Sequence, residues 1–304
     1  MSGMRIIRRL AWMFGLLFLL SACHAVSSVA SVPTDSPMPS TAAPQPAALP
    51  TSVPTPEPTP APTPEPTPEP TPTPVTIEML DSGMYDDFFD DAVFIGDSVT
   101  WTFARYVSAV RREHPDFLGD AKFLGTISMS VRIASQNKKI PEGITFQFRG
   151  KAVTLTEGIQ LTGAKKAFIL LGLNDIAIRN WTEIETWFVT MIDVIRAECP
   201  DVEIILQGVL PVTQNFCETE NIKIECWNSF NEILERIAAE QNVQYLFFGE
   251  QLMDEKGYLR LDLSSDKKYH LNEAGEEIWV RNLRAFAVRQ AYPDTVVLFP
   301  EESR

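Results

Sequence analysis

Cysteine and histidine are scarce in this sequence. Its 304 residues include four cysteines and three histidines, and their spacing does not match that of a zinc site. Cys199, Cys217 and Cys226 follow Cys23, and this odd number leaves at least one thiol free. A pairing of Cys217 with Cys226 outside the cell stays open. The scarcity excludes a fold held together mainly by disulfides or zinc.

Positive charge is also in short supply. The chain has 26 lysines and arginines against 40 aspartates and glutamates, which gives a formal net charge of −14. Strongly negative partners, such as nucleic acid or an anionic lipid surface, are repelled by such a chain. We therefore expect no nucleic-acid partner.

Long hydrophobic runs are missing as well, apart from one near the start that is too short to span a bilayer. Three arginines precede the uncharged run Leu10–Leu20, a pattern typical of a targeting signal. The run ends in Leu20-Ser21-Ala22-Cys23, which resembles the lipobox of bacterial lipoproteins. The resemblance implies a signal peptide over residues 1–22 and a lipid on Cys23 that anchors the protein to the extracellular face of the cell membrane. An ordinary secretory signal, in which Cys23 has no role, is the alternative.

Proline is concentrated in one segment. Seventeen of the 23 prolines fall within residues 32–75, in Thr-Pro-Glu-Pro and Thr-Pro-Ala-Pro repeats. Such a composition cannot bury a core and favours an extended polyproline II conformation. We interpret residues 23–75 as a lipid-anchored, disordered linker. Its proline-rich part, residues 32–75, reaches roughly 130 Å when fully extended, at about 3.1 Å per residue.

Residues 76–304 are long enough for one sizeable domain. In this part, short apolar runs alternate with amphipathic segments, which indicates an α/β fold with a parallel sheet buried on both faces. A hairpin around Gly150 is expected over residues 145–155. The predicted strands are 92–95, 121–124, 166–171, 202–208 and 243–248, and the predicted helices are 100–112, 156–162, 181–198, 225–240 and 272–290.

Polar residues directly follow two of the predicted strands. Gly96-Asp97-Ser98 ends the first, and Gly172-Leu173-Asn174-Asp175 follows the third in the main sheet. Ser98 can expose its hydroxyl at a strand-to-helix turn and aim its own N–H at a bound group, although Ser and Asp are also ordinary helix caps. Asn174 can donate to an oxyanion or merely close an Asx turn. The carboxyl ends of parallel strands share one edge, so both side chains are expected there.

One histidine is placed where it could act as a base. His24 adjoins the anchor, and His114 lies in a charged helix end, where a solvated surface residue is expected. His270 stands in Tyr269-His270-Leu271-Asn272, directly before the last long helix. From a loop at that junction an imidazole can take a proton from a serine and return it to a leaving alcohol. A capping or packing role is the alternative.

Together, the segments at Gly96-Asp97-Ser98, Gly172-Leu173-Asn174-Asp175 and His270-Leu271-Asn272 resemble the blocks of the SGNH (GDSL-type) hydrolase family. The resemblance covers residues 94–289. It implies a flavodoxin-like three-layer sandwich with a five-stranded parallel sheet, Ser98 as nucleophile and His270 as base. It also implies an oxyanion hole made of the Ser98 N–H, the Asn174 side chain and a glycine N–H, with no metal or organic cofactor.

The sequence departs from the family pattern at two places. Gly125 is the best candidate for the oxyanion glycine after the second strand, although its surroundings match poorly. The family's acidic partner stands three residues before the histidine, where this chain has Lys267. Asp266 lies one residue further away, and a loop bulge is needed to bring it to His270. Otherwise a backbone carbonyl orients the ring in a Ser–His dyad, or Asp262 replaces Asp266.

We therefore expect an extracellular ester hydrolase that removes O-acetyl groups from cell-wall or other carbohydrate esters. One alternative is a lipase or thioesterase for longer acyl chains, with an apolar cleft lined by four aromatic residues. A second is a non-catalytic, glycan-binding lipoprotein with a degenerate site, for which the displaced Asp266 is the main argument. The four aromatic residues are Trp101, Phe103, Trp227 and Phe230.

Overall fold

The computed structural model describes residues 74–178 and 180–297. The predicted signal peptide, the lipid attachment site at Cys23 and the linker up to residue 73 lie outside these residues. Across the described ranges, every helix is too short or too polar to cross a bilayer.

The strands are β1 (Ala92–Gly96), β2 (Lys122–Gly125), β3 (Phe146–Phe148), β4 (Lys151–Val153), β5 (Lys166–Leu170), β6 (Glu203–Gln207) and β7 (Gln244–Leu246). Five parallel strands form the central sheet, in the order β2-β1-β5-β6-β7, and β3 pairs with β4 in a separate antiparallel hairpin. The α-helices are α1 (Ile77–Asp81), α2 (Ser98–Val110), α3 (Val131–Ala134), α4 (Leu155–Thr162), α5 (Trp181–Glu198), α6 (Gln214–Glu220), α7 (Glu225–Glu240) and α8 (Glu273–Ala291).

The central strands are apolar on both faces, and helices cover each face. Phe94 of β1 packs on one side in a cluster with Phe103 of α2 and Trp279 of α8. Its neighbour Ile95 points to the opposite side, into a cluster that includes residues of α5 and α7. Alternate residues of a strand face opposite ways, so a sheet whose strands are apolar throughout must be covered on both sides. The predicted three-layer α/β sandwich with a five-stranded parallel sheet is confirmed.

The last residue of the predicted linker packs against the described part of the chain. Val75, which we assigned to the linker, is buried, and its N–H donates to the Val296 carbonyl at 2.9 Å.

The predicted hairpin turns at Arg149 and Gly150, both with φ in the left-handed region. Cys199, Cys217 and Cys226 are all free thiols in the structure.

Candidate active site

The carboxyl end of β1 presents Ser98 at the start of α2. At Gly96 the chain passes so close to its neighbours that a Cβ would lie 2.1 Å from the Thr100 hydroxyl and 2.4 Å from the Leu170 carbonyl. Asp97 caps the helix, because its carboxylate accepts the Val99 N–H at 2.9 Å. The sharp turn therefore requires the glycine, and it leaves Ser98 half-buried in the first turn of α2.

His270 reaches Ser98 from the other end of the domain sequence. Its Nε2 lies 2.9 Å from the Ser98 hydroxyl. The loop that carries it is closed by a bridge between Ser264 and Leu271, and α8 begins two residues after Leu271, with Asn272 as its cap. The structure thus brings the two predicted residues together across 172 positions of sequence. His114 is exposed and is not part of this arrangement.

The displaced acidic residue does reach the histidine. One oxygen of Asp266 lies 2.7 Å from Nδ1 of His270, and the other accepts the Lys268 N–H at 2.8 Å and the Tyr269 N–H at 3.1 Å. The extra residue, Lys267, takes up a φ of 59° in the left-handed region. This is the loop bulge that the spacing requires.

The charge of Asp266 is stabilised where it stands. Partial burial tends to raise its pKa, but hydrogen bonds from the His270 ring and the Lys268 N–H outweigh burial and lower the pKa below the ordinary value. Asp262 is instead paired with Arg260 at 2.8 Å. The carboxylate of Asp266 is therefore the group next to Nδ1 of His270. The alternatives had been a backbone carbonyl or Asp262.

Asn174 lies beside the serine turn. Its side-chain amide donates to the Asp97 carboxylate at 3.2 Å and to the Met129 carbonyl at 2.9 Å. The amide thus links the residue before Ser98 to the loop that follows β2. Its role as an oxyanion donor stays a prediction, and it requires that a bound substrate take over one of these two hydrogen bonds.

Gly125 has a packing function that its position explains. A Cβ there would lie 2.6 Å from the backbone nitrogen of Trp101, so only glycine lets β2 approach the first turns of α2 this closely. The N–H of Thr126 donates to the Gly96 carbonyl, and successive N–H groups of a strand point to opposite edges. The N–H of Gly125 consequently points away from β1, and its proposed role as an oxyanion donor stays a prediction.

Two buried carboxylates beneath the serine turn were not identified as site residues from the sequence. Asp97 and Asp175 are both fully buried. Asp175 accepts the Val131 N–H at 2.8 Å and so fixes the start of α3 to the loop after β5. Burial raises the pKa of Asp97 to about 7 and that of Asp175 to about 6. The signal was present, since Asp97 directly follows the glycine after the first predicted strand, and Asp175 lies three residues after Gly172, which follows the predicted strand 166–171.

Because Asp97 is buried, we expect the free energy of unfolding to fall as the pH rises. Between about pH 4 and pH 7 the folded protein retains a proton on Asp97 that the unfolded chain has released, so folding is disfavoured progressively across this range. From an ordinary value of 3.8 to about 7, at about 1.4 kcal/mol per unit, the loss is at most about 4 kcal/mol. Urea unfolding from pH 4.5 to 8 should show this decline in the wild type and a flatter profile in Asp97→Asn.

A surface variant serves as the control for this measurement. Asp87 is exposed in the turn before β1, and Asp87→Asn should retain the slope of the wild type. Parallel profiles for the wild type and Asp97→Asn would show that Asp97 is already ionised at pH 5.

Comparison with known proteins agrees with this architecture. A protein of Bacteroides fragilis described as an acylhydrolase matches with a TM-score of 0.50 and 13% identity, over 66% of this chain and 88% of its own. A GDSL-like lipase from Bacteroides thetaiotaomicron matches with a TM-score of 0.50 and 15% identity, over 67% and 90%. At these identities the likeness concerns the fold. No match emerged among curated protein sequences.

A parallel α/β sandwich with serine, histidine and aspartate in one hydrogen-bonded row is an arrangement that several families of serine hydrolases share. The model of the GDSL-like lipase/acylhydrolase family matches residues 94–278. This is more than half of the chain, and the chain belongs to that family. Within the described ranges, we find no group of three histidine, cysteine or acidic side chains arranged to hold a metal ion.

Proposed function

We propose that this enzyme cleaves esters with Ser98 as nucleophile and His270 as general base. The observation that carries the proposal is the continuous row of contacts from Asp266 through His270 to the Ser98 hydroxyl, 2.7 and 2.9 Å long. Asp266 accepts a hydrogen bond from Nδ1–H of His270, which keeps the ring proton on Nδ1 and leaves Nε2 free to accept the proton of Ser98. The serine oxygen then attacks the acyl carbon, and the imidazolium returns the proton to the leaving alcohol.

The developing oxyanion has donors available at the start of α2. The Ser98 N–H belongs to the first turn of that helix, whose amino end favours negative charge. Asn174 is the second donor, and it exchanges its bond to the Met129 carbonyl for one to the substrate. Water activated by His270 then releases the acyl group from Ser98 and regenerates the enzyme.

We propose acetyl groups on carbohydrate as the substrate class, at the extracellular face of the membrane. The lipobox-like end of the apolar run and the proline-rich linker support this location, because together they tether the domain at a distance from its anchor. A long-chain cleft has less support. Of the four aromatic residues considered for it, Phe103, Trp227 and Phe230 are fully buried in the core, and only Trp101 is partly exposed.

Hydrolysis of longer acyl chains is a second candidate. Ile127 and Ile178, which follow β2 and β5, are exposed at 57% and 42%, and Leu261 near the histidine loop is exposed at 62%. Ile127 lies in a loop, and Ile178 and Leu261 lie in short 3-10 helices of the connections that follow β5 or precede the histidine loop. Apolar side chains in such segments could contact an acyl chain, although single exposed apolar residues are common on protein surfaces.

An assay with paired substrates tests the proposal and separates the two candidates. We expect p-nitrophenyl acetate to be turned over with at least about tenfold higher kcat/KM than the octanoate, because uncovered loops give a long chain little burial. A fluorophosphonate should block this turnover and should be found on Ser98 by peptide mass spectrometry. Equal labelling of the denatured protein, or labelling elsewhere, would contradict an activated Ser98. A preference for octanoate would favour the long-chain alternative.

A further inference from the structure

The loop between Asp266 and His270 contains the one residue by which this chain departs from the family spacing. That residue, Lys267, adopts a φ of 59°. A side chain other than glycine disfavours this conformation, and it persists only where surrounding contacts impose it. The loop is also exposed over residues 265–268, so burial of its own side chains does not fix it.

Thr213 supplies the contacts that fix the loop. Its hydroxyl donates to the carbonyl of Lys267 at 2.7 Å, and its N–H donates to the carbonyl of Lys268 at 2.8 Å. Two successive carbonyls of the bulge are thus bound by a single residue, 54 positions away in the sequence. Thr213 is fully buried, so water does not compete for these bonds.

Thr213 is itself held rigidly. It follows the carboxyl end of β6 through a buried segment in which Asn231 bonds both the N–H and the carbonyl of Val209, at 2.8 and 3.0 Å. The carbonyl of Val212 accepts the N–H of Leu259 at 2.9 Å. On its other side Thr213 caps α6, because its hydroxyl accepts the Phe216 N–H at 3.3 Å. The position of Thr213 is therefore set by the sheet and not by the histidine loop.

We propose that Thr213 is a positioning residue for catalysis, which holds the bulge at Lys267 so that Asp266 reaches His270. It does not touch the reacting atoms. It compensates for the additional residue between the acid and the base by imposing the left-handed turn. The inference rests on the proposed roles of His270 and Asp266.

Replacement of Thr213 by valine in the full chain is the first test. Valine retains the volume but removes the hydroxyl, so we expect kcat on p-nitrophenyl acetate to fall by about 10- to 100-fold, the scale of a small misplacement of a catalytic group, with little change in KM. Thr213→Ser should retain activity within about threefold, because serine keeps the hydroxyl donor. In an Asp266→Asn background, Thr213→Val should cause no further loss.

Thr154 provides a matched control. It also caps a helix, since its hydroxyl accepts the Glu157 N–H at 3.1 Å, but it has no contact with the histidine loop. Both Thr154→Val and Thr213→Val should lower the melting temperature, and only the second should lower kcat. Equal kcat in both variants, or additive losses with Asp266→Asn, would overturn the proposal.

Two further measurements separate this proposal from the proposed catalytic roles and from simple misfolding. Lys267→Gly should restore much of the activity lost in Thr213→Val, because glycine adopts the left-handed turn without support. A lost helix cap is not repaired in this way, and failure of the rescue would contradict the proposal. The Asp266 carboxyl, followed by carbon NMR, should titrate at higher pH in Thr213→Val, since the loop N–H groups that lower its pKa move away. That readout does not depend on turnover, and an unchanged titration would refute the positioning role even if Ser98 proved not to be the nucleophile.

Discussion

Ser98→Ala should abolish ester hydrolysis, with a fall in kcat of about 10⁴- to 10⁶-fold, as is typical when a catalytic serine is removed. The change deletes only the hydroxyl that lies 2.9 Å from His270. Alanine is a favourable residue inside a helix, and the helix cap is Asp97, so α2 should remain intact. The measurement is p-nitrophenyl acetate turnover, accompanied by circular dichroism and the melting temperature.

A serine on the same helix is the control. Ser108 is exposed and its hydroxyl bonds only the Ala104 carbonyl one turn earlier, so Ser108→Ala should leave kcat within about twofold, as expected for a surface substitution. Turnover by Ser98→Ala within tenfold of the wild type would mean that hydrolysis uses another nucleophile or water.

The fold could be predicted from the sequence because its elements have a strong internal pattern. The amphipathic runs at Trp181–Glu198 and Glu225–Glu240 predict α5 and α7 with the bounds that the structure has. The five apolar strands are short and bounded by loop residues, and this pattern is sufficient to predict a parallel sheet. In contrast, α6 spans only seven residues, Gln214–Glu220, and one of them is buried. Two turns with so few apolar positions do not establish a helical period.

Among the site residues, too, some could be identified from local sequence pattern and others could not. Local sequence pattern identified three of them, because they directly follow strands or precede a helix: Ser98, Asn174 and His270. The parallel sheet then brings their segments to one edge. For Asp266 the sequence left alternatives open, because its contact with His270 depends on the backbone of Lys267 and on a partner far away in the sequence, Thr213. For Gly125 the sequence signal was present but ambiguous. A glycine after a strand can serve close packing as well as ligand binding, and here the backbone of Trp101 occupies the space.

Asp266→Asn should have the second largest effect, a loss of about 10³- to 10⁴-fold in kcat, by analogy with the serine-protease template. Asparagine can keep the loop intact, because its oxygen still accepts the Lys268 and Tyr269 N–H groups. Its NH₂ group then faces Nδ1 of His270, which favours the tautomer that carries the proton on Nε2. That proton points at the Ser98 hydroxyl, so the ring can no longer accept the proton of the serine. Turnover of p-nitrophenyl acetate by the folded variant measures the effect.

Asp262→Asn is the control that tests whether the loss of kcat is specific to the carboxylate of Asp266. Asp262 lies on the same loop segment, but it is exposed and paired with Arg260, and an exposed pair of this kind contributes little. We expect its loss to change kcat by less than about twofold. If Asp266→Asn proved equally mild, the enzyme would operate as a Ser98–His270 dyad, and the bulge at Lys267 would serve only the shape of the loop. A strong effect at 266 and none at 262 would instead show that the bulge preserves the function of the acid despite the added residue.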